Sequence, residues 1–284
     1  MLGRCGGSGV VVWSANTPMS GLGGEMFDLQ GAVVVVTGAS SGLGRRFALD
    51  FAAAGAVVTG LARREAMLAA VAEEMRRTSP RSATIVCDVS DTDRYSAVLA
   101  GIEQEHGRID VLINNAGIGE PSAEPEHPLT AYRAVMETNF FAAVAGTLTV
   151  LPGMLLRGRG VVVNVSSDTG RAPGPGESAY GASKAALSAF TDSLSYTTER
   201  RGVRLHVLYP GWVPTAMGAG AVDAGQSTPP RIVRRTEEQV SRLLLARIGG
   251  PRLDIDAAPV ARLAPVARAL APGLYRRGLR KAAG

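Results

Sequence analysis

The chain has 284 residues, 46% of them hydrophobic and 19% charged, with a net charge of +5, which is enough apolar material for one large core. Its two cysteines, Cys5 and Cys87, build no disulfide framework, and its three histidines, His106, His127 and His206, lie at no metal-ligand spacing. The histidines read as surface or strand-end residues, no catalytic metal is expected, and a reducing cytoplasm fits the cysteine usage. Residues 1–26 are rich in Gly and Ser, and their one apolar run, Val10 to Trp13, is too short for a signal-peptide core or a membrane span. They are expected to form a disordered extension.

From Ala32 to Thr37 the chain runs Ala-Val-Val-Val-Val-Thr, a β-branched stretch suited to a strand buried on both faces of a parallel sheet. Gly38-Ala39-Ser40-Ser41-Gly42-Leu43-Gly44 follows, and Arg45 to Ala54 has the composition of a crossover helix. Such glycines let backbone approach a pyrophosphate, and the helix N-terminus favours bound phosphate. The spacing is Gly-x-x-x-Gly-x-Gly, unlike the commoner Gly-x-Gly-x-x-Gly fingerprint. A second strand, Ala56 to Leu61, ends in Ala62-Arg63-Arg64, where NAD-binding units usually carry an acid for the ribose hydroxyls. With no carboxylate there, Arg63, with Arg64 beside it, suits a 2′-phosphate, which makes NADP the preferred cofactor over NAD. A third strand, Ala83 to Cys87, is closed by Asp88, either an adenine acceptor or a turn residue.

A fourth strand, Asp110 to Ile113, leads into Asn115-Ala116-Gly117. Phe140 to Leu156 is the longest apolar stretch, but its Gly146, Thr147, Thr149 and Pro152 suit a buried crossover helix better than a membrane span. Further strands are expected near residue 160 and over Val203 to Tyr209, which runs into Pro210-Gly211, with a short edge strand at Arg252 to Ile255. This alternation argues for one doubly wound α/β domain over residues 27–256, with the ligand cleft at the strand C-terminal ends. Between its last strands lies Ser178-Ala179-Tyr180-Gly181-Ala182-Ser183-Lys184. One helical turn separates Tyr180 from Lys184, so the ammonium is expected near the phenol, favouring its ionised form.

Taken together these motifs resemble the short-chain dehydrogenase/reductase (SDR) family, from about Leu29 to about Thr215. The resemblance rests on Thr37 to Gly44, on Asn114-Asn115-Ala116-Gly117, on Asn139 in Glu-Thr-Asn-Phe, on Ser167 in Val-Asn-Val-Ser-Ser, on Tyr180 with Lys184, and on Pro210-Gly211. It implies a Rossmann-type, mostly parallel seven-stranded sheet in the order 3-2-1-4-5-6-7, and a homodimer or homotetramer with the apolar helix packed across a subunit interface. Because Met26 to Gly31 is how members of this family often begin, a start at Met26 or Met19 is expected.

The resemblance also implies roles. Tyr180 is the acid/base, Ser167 hydrogen-bonds the reacting oxygen, Lys184 lowers the Tyr pKa and binds the nicotinamide ribose, and Asn139 holds a water linking Lys184 to solvent. Side-chain alternation leaves Ser166 as the rival of Ser167, and the family spacing to Tyr180 selects Ser167. The cofactor is implied to touch Gly38, Ser40, Ser41, Gly42, Leu43, Gly44, Arg63, Asp88, Val89, Asn115, Ala116, Gly117, Tyr180, Lys184, Pro210, Gly211, Val213 and Thr215. The function implied is NADP-dependent interconversion of a carbonyl and an alcohol. The alternatives are an NAD-dependent secondary-alcohol dehydrogenase and a non-catalytic dinucleotide-binding regulator.

Cleft-lining segments are expected at Ile118 to Leu129, Asp168 to Ser178 and Gly211 to Arg235, and their small, Pro- and Gly-rich composition suits a moderately apolar ketone, aldehyde or secondary alcohol. Arg171, Arg231, Arg234 and Arg235 are expected as solvated loop charge, with an acidic substrate tail as the other reading. Residues 257–284 carry Arg262, Arg268, Arg276, Arg277, Arg280 and Lys281 and no acid, so removing these six charges from +5 leaves the rest of the chain at −1. The absence of a broad basic field speaks against a nucleic-acid partner. Val260, Leu263, Val266, Leu270 and Leu274 make this tail an amphipathic segment, broken at Pro259, Pro265 and Pro272. A flap over the cleft or a neighbouring subunit is the preferred reading, and peripheral membrane contact the other.

Overall fold

Valine-rich runs become strands when both faces are covered, and each half of the alternation in Val33–Thr37 (β1) goes to a different core. Val34 and Val36 point into one apolar layer, and Val33 and Val35 into the other. The fold is that of a computed structural model describing residues 27–119, 128–218 and 229–283. The remaining strands are Val57–Ala62 (β2), Ala83–Val86 (β3), Val111–Asn114 (β4), Gly160–Val165 (β5), Val203–Tyr209 (β6) and Asp254–Asp256 (β7). They form one seven-stranded sheet in the order β3-β2-β1-β4-β5-β6-β7. Every neighbouring pair is parallel.

Helices cover both faces. Gly42–Ala53 (α1), Glu65–Arg76 (α2) and Glu237–Arg247 (α8) pack on the layer containing Phe47, Val71 and Leu244. Thr92–His106 (α3), Ala142–Arg157 (α5) and Ser178–Thr198 (α7) cover the other face, where Tyr95, Leu99 and Met154 are buried. Leu129–Met136 (α4) leads through a π turn, Glu137–Phe141, into α5. This continuous stretch, Leu129–Arg157, is long and apolar enough by length and composition to cross a membrane. Here its inner face, with Val135, Thr147, Val150 and Met154, is buried in the fold. A short helix, Asp168–Arg171 (α6), follows β5, and Leu263–Leu270 (α9) and Pro272–Ala283 (α10) end the chain.

A buried polar ladder fixes the middle of the sheet to the second helical layer. Asn114 and Asn164 sit opposite one another on β4 and β5. Asn114 Nδ2 donates to Asn164 Oδ1 at 2.8 Å and Asn164 Nδ2 to Thr191 of α7 at 2.8 Å. The Tyr95 hydroxyl donates to Asn114 Oδ1 at 3.1 Å, so one amide ties α3 and β5 together.

Three expectations are corrected. His206 is neither at the surface nor at a strand end: it is fully buried in β6, its Nδ1 meets the Arg252 carbonyl at 2.9 Å and its Nε2 accepts the Gly249 N–H at 2.9 Å. Burial lowers its pKa to about 4, so the ring stays neutral. Arg171, Arg234 and Arg235 are not solvated loop charge. Arg171 bridges Asp254 and Asp256 and stacks 3.2 Å over the Tyr209 ring, while Arg234 and Arg235 donate to the carbonyls of Pro229 and Ala257. Pro265 does not break the tail, because it falls in the first turn of α9, where a missing N–H costs no helical bond. Residues 1–26, His127 and parts of the cleft segments lie outside the described residues.

Candidate active site

Each strand of the sheet ends on the same edge, and the motifs gather there. At the end of β1, Thr37 accepts the backbone N–H groups of Asn115 and Ala116 at 2.9 and 3.0 Å, while Asn115 Nδ2 donates to the Thr37 carbonyl at 2.9 Å. The loops after β1 and β4 are thereby locked edge to edge. Gly38 has φ +69°, and a Cβ there would lie 2.8 Å from Asn115 Nδ2. A Cβ on Gly44 would run into the Gly38 carbonyl and Asn115. Only hydrogen fits at either position, and the result is a shallow backbone cradle in front of α1. Ser41 is the N-cap of α1 but its hydroxyl does not cap, and the first turn carries no acid. The first-turn N–H groups and the positive end of the helix therefore face the cradle, as a bound phosphate requires.

The loop's other neighbours carry the arginine question. Arg64 lies across the glycine loop, donating from Nε and Nη2 to Ser40 Oγ at 3.2 and 2.9 Å and from Nη2 to Ser41 Oγ at 2.6 Å. Arg63, placed first by the sequence reading, points instead to Asp88, 3.7 Å away, with its side chain 64% exposed. Asp88 accepts the N–H and hydroxyl of Ser90 at 3.1 and 2.8 Å. Partial burial pushes its carboxyl up, but the Ser90 bonds and Arg63 outweigh this, and its pKa falls below the ordinary carboxylate value. Thr215 and Val213 come to the cradle from the far side of the cleft: the Thr215 methyl would meet a Cβ on Gly42 at 3.2 Å, and Val213 is buried. Gly211, at φ +71°, makes the turn after Pro210 possible, and a Cβ there would lie 2.7 Å from the Val233 carbonyl.

At the centre of the edge, the two serines that follow β5 point apart. Ser166 points to α7, donating to the Lys184 carbonyl at 3.0 Å and meeting Ser188 at 2.8 Å. Ser167 is the N-cap of α6, accepting the Thr169 N–H at 3.2 Å, and its hydroxyl lies beside the Tyr180 phenol. Burial pushes the Tyr180 phenol up to about 12; Ser167 opposes this, and the carboxyls of Glu177 and Asp168 add to it. Lys184 is buried, its Nζ 5.8 Å from the Tyr180 ring centre and donating to the Val165 carbonyl at 2.8 Å. Burial lowers its pKa to about 8. The Tyr180 pKa is raised, not depressed as expected: burial and the nearby carboxyls of Glu177 and Asp168 favour the neutral phenol.

Asn139 sits in the π turn, 1% exposed, a local geometry that often marks functional sites. Its Oδ1 accepts the Ile118 N–H at 2.8 Å, and its Nδ2 donates to the Ile118 carbonyl at 2.9 Å and to Ser183 at 3.1 Å. The amide clamps the backbone after Gly117. Ser183, which also donates to the Tyr180 carbonyl at 2.7 Å, was missed in the sequence, although its place inside the Tyr-x-x-x-Lys turn was a signal. Asp168 was missed too. It follows Ser167 directly, and burial raises its pKa to about 6, against the pull of Arg171. The structure thus brings together Asn139, Ser167, Tyr180 and Lys184 on one side and the glycine cradle on the other.

Comparisons with known proteins show the family. The family model described as short chain dehydrogenase matches residues 32–225. "Dehydrogenase/reductase SDR family member 7B" of Bos taurus is 36% identical over 261 residues, covering 88% of this chain and 80% of its own. Its Danio rerio namesake is 38% identical over 215 residues, covering 74% and 69%. Among solved structures, a short-chain dehydrogenase from Streptomyces avermitilis superposes with a TM-score of 0.74 at 27% identity, over 89% of this chain and 97% of its own. An SDR protein from Burkholderia phymatum, in complex with NAD, gives 0.78 at 25% identity over 88% and 96%. With this match over most of its length, the chain belongs to the short-chain dehydrogenase/reductase family of NAD(P)-binding oxidoreductases.

Proposed function

We propose that this enzyme interconverts an apolar carbonyl compound and its alcohol with NADP as cofactor. The observation that carries the reading is the grouping of Tyr180 with Ser167 beside it and the Lys184 Nζ 5.8 Å from its ring centre. When bound, the nicotinamide supplies or accepts the hydride. The protein's part is to position the substrate and move a proton. In reduction, the Tyr180 hydroxyl passes its proton to the carbonyl oxygen while Ser167 donates a hydrogen bond to the same oxygen. The resting site suits this direction at neutral pH, since Tyr180 holds its proton up to about pH 12. Lys184 stabilises the phenolate left behind and, by its place beside Gly117, holds the nicotinamide ribose.

Gly38, Ser40, Ser41, Gly42, Leu43 and Gly44 would hold the pyrophosphate, Asp88 and Val89 the adenine, and Asn115, Ala116, Gly117, Pro210, Gly211, Val213 and Thr215 the nicotinamide side. Arg64, with Arg63 in support, favours the 2′-phosphate of NADP. Arg171, Arg234 and Arg235 are occupied within the fold, which favours an uncharged substrate over one with an acidic tail. Exposed Phe141, Leu148, Leu156 and Tyr196 on the α5 and α7 side favour a homodimer or homotetramer. The test is NADPH oxidation across a panel of aldehydes, cyclic ketones and steroids. Turnover that falls by about 100-fold or more in Tyr180→Phe supports the reading; turnover unchanged in that variant refutes it.

A further inference from the structure

A helix that packs as a flap buries its apolar stripe, and the end of this chain does not. Leu263, Val266, Leu270 and Leu274 follow one another at three- and four-residue steps and are 63%, 51%, 82% and 74% exposed. On α9, Arg268 falls outside the stripe formed by Leu263, Val266 and Leu270. On α10, Arg276, Arg277 and Arg280 share one side, while Leu274 and Gly278, four apart, lie on another. All four of these arginines are exposed. Arg262 is the exception, held to Asp254 and Asp256 at the root of the tail.

We propose that α9 and α10 form a docking surface for an anionic lipid membrane, lying in its interface with leucines inserted and arginines on the headgroups. The charge balance selects this occupant. From residue 257 onward there is no acid, whereas the rest of the chain sums to −1. A second copy of the tail brings no carboxylate, so tail-to-tail packing would bury these guanidinium groups unpaired, which is costly. An anionic headgroup layer pairs with each arginine while the acyl boundary takes up the leucines. The tail is rooted beside the cleft: the 3₁₀ turn Pro259–Arg262 packs on α6, whose N-cap is Ser167. A docked tail thus holds the substrate side of the site near the lipid. The binding itself is independent of the chemistry proposed for the cleft, so either can fail without the other.

The experiment is co-sedimentation of the full chain with vesicles of phosphatidylglycerol and phosphatidylcholine, and with phosphatidylcholine alone. The expected result is pelleting with the anionic vesicles only, reversed by high salt. Arg276→Gln/Arg277→Gln/Arg280→Gln weakens partitioning on the order of 100-fold, and Leu270→Asp/Leu274→Asp by at least as much. Thermal melts matching the parent show that these surface variants fold. A parent chain that stays in the supernatant, or an Asp double variant that pellets like the parent, overturns the proposal. So does a double variant whose only change, by sedimentation velocity, is in oligomeric state, since the surface then belongs to a second copy.

Discussion

Replacing Arg64 by Gln separates two adjacent arginines that composition cannot tell apart. Arg64 already aims its Nε and Nη2 at Ser40 and Ser41 on the phosphate loop. Binding a 2′-phosphate exchanges neutral acceptors for a charged one. Hydrogen bonds to charged groups are worth about 1.5–3 kcal/mol and neutral ones about 0.5–1.5, so two exchanged bonds gain about 2 kcal/mol. That is roughly a 30-fold preference for NADPH over NADH, at about 1.4 kcal/mol per decade. Arg63 is 64% exposed and 3.7 Å from Asp88, and a screened pair of this kind contributes about 0.2–1 kcal/mol, at most roughly fivefold. Steady-state kinetics with both cofactors measures the ratio of kcat/KM. Arg64→Gln is expected to lower NADPH preference roughly 30-fold and Arg63→Gln by less than about fivefold. If Arg63→Gln has the larger effect, or Arg64→Gln leaves the ratio unmoved, the assignment of the 2′-phosphate to Arg64 is wrong.

Other consequences of the same geometry are open to measurement. Gly44→Ala drives a methyl into the Gly38 carbonyl and Asn115; dinucleotide affinity by calorimetry should fall by about 100-fold or more while the circular dichroism spectrum is kept. Asn114→Leu strands the buried Tyr95 hydroxyl and the Asn164 carbonyl oxygen. At about 1–3 kcal/mol for each unsatisfied group, urea unfolding should show a loss of about 4 kcal/mol, and a loss under about 1 would contradict the ladder. The pH profile follows from Lys184, whose pKa lies below the ordinary lysine value at about 8. Its ammonium is present below that pH and lost above it, so kcat/KM for NADPH should be level from about pH 6 to 7.5 and decline beyond about 8. A profile that stays level to pH 10 would detach Lys184 from the acid step.

The strands were legible because their signals are local, whereas their order came only with the family resemblance. A run such as Val33 to Val36 needs cover on both faces, and the parallel sheet with helices on either side provides it. The loops were legible for a similar reason, since Gly38 and Gly211 occupy positive φ at strand ends, where a side chain would collide. Partners brought from far along the chain were not. His206 reads as a strand-end residue because the groups that let it stay buried, the Gly249 N–H and the Arg252 carbonyl, lie 43 and 46 residues away. The sequence puts Arg63 ahead of Arg64, and the entry into α2 instead turns Arg64 onto the glycine loop, because Arg64 takes the N-cap position with φ −88° and ψ 95°. The apolar stripe of the tail was readable, but its exposure was not, because helical periodicity says which side is apolar and not what covers it.

Asn139 shows where site and scaffold become the same thing. The motif marks it as a residue of the active site, and its geometry explains why an amide is needed there. Ile118 presents both a donor and an acceptor to one side chain, at 2.8 and 2.9 Å, inside a buried turn. An aspartate would set a carboxylate against the Ile118 carbonyl, and a leucine would leave both backbone groups unpaired, each at a cost of about 1–3 kcal/mol. The same Nδ2 reaches Ser183, whose hydroxyl holds the Tyr180 carbonyl. A Cβ on Gly117 would stand 3.2 Å from Asn139 Oδ1 and 3.5 Å from Lys184 Nζ. One amide therefore spaces the loop after β4 from the helix that carries Tyr180 and Lys184. Its loss would displace the proton donor and the nucleotide cradle together, so cofactor affinity and turnover would fall as a pair.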